Sequence, residues 1–86
     1  MDMTTKELVE FMIKAVVDYP EKVVLTEHEQ DDALLMEVSL AVGDVGKVIG
    51  KRGNTISAIR TLLSSIISRS NHESIQKKRV WIVVCD

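Results

Sequence analysis

Hydrophobic and polar positions are spaced in three ways along the chain, and each spacing predicts an element. After Thr4, the residues Leu8, Val9, Met12, Ile13, Val16 and Val17 lie opposite a polar stripe of Glu7, Glu10, Lys14 and Asp18, with Phe11 and Ala15 at the margin. Steps of three and four are the period of an amphipathic helix. Thr4-x-x-Glu7 adds a capping box at its start, and Tyr19-Pro20 stops it, so a helix is predicted over 4–19. Lys22 to Glu27 is rich in β-branched residues and predicts a strand. Leu34, Met36, Val38 and Leu40 alternate with period two, which predicts a second strand over 34–41, paired to the first across the polar turn His28–Asp32.

Beyond a Gly43-Asp44 break, Val45 to Ile49 predicts a short helix capped by Asp44. Gly50 to Gly53 predicts a loop, and Asn54 is placed to cap a longer helix whose Ile56, Ile59, Leu63, Ile66 and Ile67 form a buried face. The helix-loop-helix unit is expected over 45–70, fading near Ser70-Asn71. A polar connection through Lys77-Lys78 leads into a last strand over 79–85. Val80 to Val84 is apolar throughout, so this strand is expected either to be covered on both faces or to present one face as an interface. The order is α-β-β-α-α-β. The fold class is therefore α+β, a three-stranded sheet packed on one side by helices.

Composition narrows the function. Eighty-six residues make one small domain the economical expectation, and 45% hydrophobic with 28% charged residues describe a chain that can build a core. The 3% aromatic content comprises Phe11, Tyr19 and Trp81, too few for the aromatic platforms on which single-strand binders often stack bases. A single cysteine, Cys85, points to a reducing compartment. With no apolar run long enough to cross a bilayer and no basic leader, the expected location is the cytoplasm. The net charge of −2 hides a division: residues 1–44 carry eleven acidic and three basic residues, residues 45–86 two acidic and eight basic. Such basic residues either form a face that attracts a polyanion or are solvated helix-surface charges.

The loop decides between these. In Val48-Ile49-Gly50-Lys51-Arg52-Gly53-Asn54-Thr55-Ile56, two glycines allow close approach of a phosphate to the main chain. The next helix aims its unsatisfied N–H groups at the same place. Lys51 and Arg52 add cations at the tip, Lys47 and Arg60 lie a turn or two away, and Ile49 and Ile56 flank the loop as an aliphatic floor against which bases can lie. A phosphate-binding P-loop is excluded, because Val45 and Arg52 stand where it needs glycine and Ser or Thr.

These residues resemble the KH signature V-I-G-x-x-G-x-x-I at every fixed position: Val48, Ile49, Gly50, Gly53 and Ile56. The element order matches the type II KH arrangement. With Gly46-Lys47-Val48-Ile49-Gly50-Lys51-x-Gly53 and Ala58-Ile59-Arg60-Thr61-Leu62-Leu63, the chain is most similar to the KhpA family of small bacterial single-KH proteins. The resemblance is strongest from Gly46 to Leu63. It is weakest from Ser64 to Lys78, where the connection is longer and more polar, and Trp81 is unusual for the last strand. It implies a protein that binds single-stranded RNA, clamping a stretch of about four nucleotides at the G-x-x-G loop. It further implies pairing as a homodimer or with a KhpB-type KH protein, in an RNA-chaperone or post-transcriptional role. The site residues expected from loop and resemblance together are Gly50, Lys51, Arg52, Gly53, Lys47, Ile49, Asn54, Ile56 and Arg60.

Nothing else in the chain assembles a catalytic or cofactor site. His28 and His72 lack companion ligands, Cys85 lacks a general base, and the serines of the long helix lack a His/Asp pair, so no enzyme, metal or cofactor is expected. Lys77, Lys78 and Arg79 either extend the positive field or form a solvated turn. Leu62 lies off the buried stripe beside Ala58. These two, with Trp81, either widen the core face or form a dimer interface. The alternative to RNA binding is a KH-fold adaptor that mainly binds a partner subunit.

Overall fold

The computed structural model describes residues 3–69 and 79–85. The element order is α1 (Thr5–Val16), β1 (Val24–Gln30), β2 (Ala33–Ser39), α2 (Val45–Ile49), α3 (Asn54–Arg69) and β3 (Arg79–Cys85). This is the predicted α-β-β-α-α-β succession. The fading of the last helix at Ser70-Asn71 and the Lys77-Lys78 connection lie outside the described residues.

The sheet has the order β1-β2-β3, with β1 antiparallel and β3 parallel to β2. A parallel neighbour requires a crossover, and α2 and α3 supply it. Strand alternation then sorts the side chains. Leu34, Met36 and Val38 on β2 and Ile82 on β3 face the helices and are buried, joined by Val9 and Ile13 of α1, Val48 of α2 and Ile56, Ile59 and Leu63 of α3. The opposite face of the sheet is open: Trp81 and Val83, flanking Ile82, are 53% and 45% exposed. Among the described residues, the apolar last strand is thus covered on one face only.

Several predicted boundaries shift, some for tertiary reasons and some because of local 3-10 turns. The capping box forms, with Glu7 N–H donating to Thr4 Oγ1 at 3.1 Å and Thr4 N–H to Glu7 Oε1 at 3.1 Å. However, α1 ends at Val16 rather than Tyr19, because the Asp18 and Tyr19 N–H groups turn out of the helix to donate to the carboxylate of Asp44, at 3.1 and 2.9 Å. Asp44 therefore makes no side-chain cap on α2, correcting the role its position suggested. A single 3-10 turn at Pro20–Lys22 delays β1 to Val24. The strand then continues to Gln30, since Glu29 pairs with Leu34 and Gln30 with Ala33, and only Asp31-Asp32 remain as the turn. Buried β2 dictates that register, and polar residues are tolerated on an edge strand. A 3-10 turn over Val42–Asp44 closes β2 at Ser39, short of the predicted 41.

Candidate nucleic-acid interface

The loop between α2 and α3 has a backbone that only particular residues allow. Gly50 adopts φ 78°, ψ 173° and Gly53 adopts φ 75°. The conformation of Gly50 is essentially restricted to glycine. A Cβ there would also press on the side chain of Thr55 and lie 2.7 Å from its backbone nitrogen, whereas a Cβ on Gly53 would meet nothing within 4 Å. Gly50 is needed for conformation and space, Gly53 for conformation alone. Between them Arg52 lies in the left-handed region at φ 59°, ψ 26°, which costs an L-residue roughly 1 kcal/mol. Three backbone bonds brace the turn: Gly50 N–H to Gly46 O at 2.8 Å, Gly53 N–H to Gly50 O at 3.2 Å, and Asn54 N–H to Lys51 O.

Helical dihedrals are already present at Asn54, φ −66°, ψ −37°. Asn54 is thus the first residue of α3 rather than a cap ahead of it, and the reversal of direction is made by Gly53. No acidic residue occupies the first turn of α3, so its positive end is not neutralised locally. Lys51 and Arg52 are both exposed at the tip. Gly50 to Asn54 thus lie together at the turn that leads into α3.

The four flanking residues are placed differently from one another. Ile49 is 38% exposed beside the loop, while Ile56 is 8% exposed and packs in the core. Of the two isoleucines, only Ile49 offers substantial apolar surface to a ligand. Lys47 turns back from the loop: its ammonium lies 3.2 Å from Asp18 Oδ2 and 3.8 Å from Asp44 Oδ1. Arg60 donates to the Ile82 carbonyl at 2.8 Å, joining α3 to β3. Thr55, Asp44 and Asp18 shape this region yet were not among the predicted site residues. The Asp44-x-x-Lys47 spacing is that of an i,i+3 ion pair, whereas the approach of Asp18 depends on how α1 is docked.

A second feature lies between α1 and α3, an apolar groove of about 310 Å³ lined by Phe11, Met12, Ala15, Val16, Thr55, Ala58, Ile59 and Leu62. Phe11 is 63% and Leu62 53% exposed. Ala58 and Leu62 thus belong together as expected. Their companion is Phe11 rather than Trp81, which projects from the open face of the sheet. Among the described residues, no group of His, Cys, Asp and Glu could hold a metal ion, and no helix is long and apolar enough to cross a membrane.

Comparison with known proteins agrees with this architecture. The family model described as KhpA/KhpB, KH domain matches residues 6–80. RNA-binding protein KhpA of Chlamydia trachomatis is 48% identical over 66 residues, covering 77% of this chain and 85% of the relative. RNA-binding protein KhpA of Borreliella burgdorferi is 40% identical over 80 residues, covering 93% and 90%. A crystal structure of Era in complex with MgGDPNP and nucleotides 1506–1542 of 16S ribosomal RNA superposes with a TM-score of 0.56 at 19% identity. That likeness spans 94% of this chain and 30% of the Era chain, and it shows the shared fold. With a helix-G-x-x-G-helix unit crossing between parallel strands, and with relatives aligned over most of their length, the chain belongs to the KhpA/KhpB KH-domain family.

Proposed function

We propose that the protein binds single-stranded RNA in the cytoplasm through the Gly50–Gly53 loop and the aliphatic surface beside it. On this reading it acts as a homodimer or with a KhpB-type partner, in an RNA-chaperone or post-transcriptional role. The observation that carries the reading is the loop: glycine dihedrals at both ends, Lys51 and Arg52 exposed between them, and the start of a 16-residue helix behind. The positive end of α3 and two exposed cations at the loop tip suit phosphate oxygens, and Ile49 supplies apolar surface for a base. The KhpA relatives are named as RNA-binding proteins, which supports carrying that activity to this chain. A single small module binds weakly. Pairing two modules raises the effective concentration at the second and gives dimerisation a physical purpose.

Fluorescence anisotropy with a labelled single-stranded RNA oligonucleotide tests the proposal. The wild type is expected to bind with an affinity that falls as salt rises. A Lys51→Asp/Arg52→Asp variant with unchanged circular dichroism is expected to lose more than about tenfold. Equal binding by both proteins, or by neither, overturns the loop as a phosphate clamp. The second reading, a KH-fold adaptor for a partner subunit, is favoured by the exposed Phe11–Leu62 groove and then takes precedence.

A further inference from the structure

Lys47 stands one helical turn before Gly50, yet its charge is occupied by carboxylates from outside α2. Its ammonium approaches Asp18 and Asp44 and donates to the Gly43 carbonyl at 3.3 Å. Asp18 does not reach this corner by chance. Its own N–H and that of Tyr19 donate to Asp44, so the carboxylate of Asp44, 1% exposed, fixes the chain leaving α1 and with it the position of Asp18.

The two carboxylates hold Lys47 differently. Asp44 is buried and committed to two backbone donors. The Asp18 side chain is 64% exposed and that of Lys47 45%, and an ion pair in that much water is easily exchanged. A lysine ammonium is a point charge on a flexible stem with three donors, able to move to a stronger anion without rebuilding the helix beneath it. A phosphate lying along the Gly50–Gly53 loop would be such an anion.

We propose that Asp18 is an intramolecular competitor for RNA phosphate. It holds Lys47 in the free protein and yields it when a phosphate settles beside the loop, so that an acid from α1 sets the affinity of a site carried by α2 and α3. The inference rests on the RNA-binding reading of the loop.

The test is a double-mutant cycle by anisotropy with the same RNA oligonucleotide. Asp18→Asn is expected to tighten binding roughly two- to fivefold at low salt. Its logarithmic salt slope is expected to stay near that of the wild type, because Lys47 meets the phosphate in both complexes, whereas Lys47→Gln is expected to shallow the slope by about 0.7, the increment for one phosphate on a single strand. In a Lys47→Gln background the same substitution is expected to leave affinity nearly unchanged. Asp31→Asn, which removes a carboxylate from the β1–β2 turn, is expected to give a smaller gain and no change of slope. A gain that persists without Lys47, or that Asp31→Asn reproduces, comes from net charge and overturns the proposal, as does an Asp18→Asn variant no tighter than wild type. The comparison of Asp18→Asn with Asp31→Asn remains decisive if Lys47→Gln folds poorly. If the wild type itself fails to bind, the RNA reading of the loop falls and this inference with it. Binding without an Asp18→Asn gain removes the competitor alone.

Discussion

The guanidinium of Arg60 donates to the carbonyl oxygen of Ile82 at 2.8 Å, a part-buried bond across 22 residues of sequence that ties the site-bearing helix α3 to the last strand. A planar fork reaches a strand carbonyl in a way that a lysine ammonium does not reproduce. Arg60→Lys is therefore expected to lower stability by about 1 kcal/mol in urea unfolding. If Arg60 also meets phosphate, Arg60→Gln additionally shallows the salt slope of RNA binding, while Arg60→Lys leaves that slope near wild type.

The two loop glycines are expected to respond unequally to alanine. Gly53→Ala meets open space and carries only its positive φ, a cost of about 1 kcal/mol. Gly50→Ala adds a collision with Thr55 to a conformation alanine scarcely adopts, and the expected loss is about 2–4 kcal/mol. Thermal melts of the two variants rank them. Equal losses would show that the loop relaxes around Gly50.

Arg52 occupies a conformation that suits glycine better than arginine. Arg52→Gly is expected to keep or raise stability, by up to about 1 kcal/mol, while weakening RNA binding. A variant that melts no lower yet binds less tightly would separate strain from function in a single residue.

Leu62 is about half exposed on the rim of the α1–α3 groove. Leu62→Asp is expected to leave the melting temperature within a few degrees and to abolish self-association in sedimentation at tens of micromolar. A charge at the centre of an apolar contact is costly, whereas the same charge in water is not. If the wild type is already monomeric, the homodimer is excluded and only a different partner can occupy the groove.

Much of the fold was legible because its signals are local. The Thr4–Glu7 capping box, the alternation of Leu34, Met36 and Val38, and the 3-4 spacing of Ile56, Ile59 and Leu63 each depend on neighbours within a turn or a strand, and each element formed. So was the loop, since two glycines bracketing two cations before a helix suffice to mark a tight turn. Two of the misread boundaries depended on distant partners. The end of α1 is decided by Asp44, more than twenty residues away, and the length of β1 by its pairing with β2. Trp81 was grouped with Leu62 because both are apolar and off the core pattern, and only the sheet's alternation put it on the other face.

What the sequence by itself determined is the set of elements, their order and the chemistry of the Gly50–Gly53 turn, because helix periodicity, strand alternation and glycine dihedrals are properties of short stretches of chain. Tertiary structure alone decided how much of each predicted site residue remains available. Ile56 went into the core, Arg60 to the β3 backbone and Lys47 to Asp18 and Asp44, while Ile49, Lys51 and Arg52 stayed exposed. The physical reason is that burial and ion pairing depend on through-space distance, and distances between residues far apart in sequence are set only when the helices dock on the sheet.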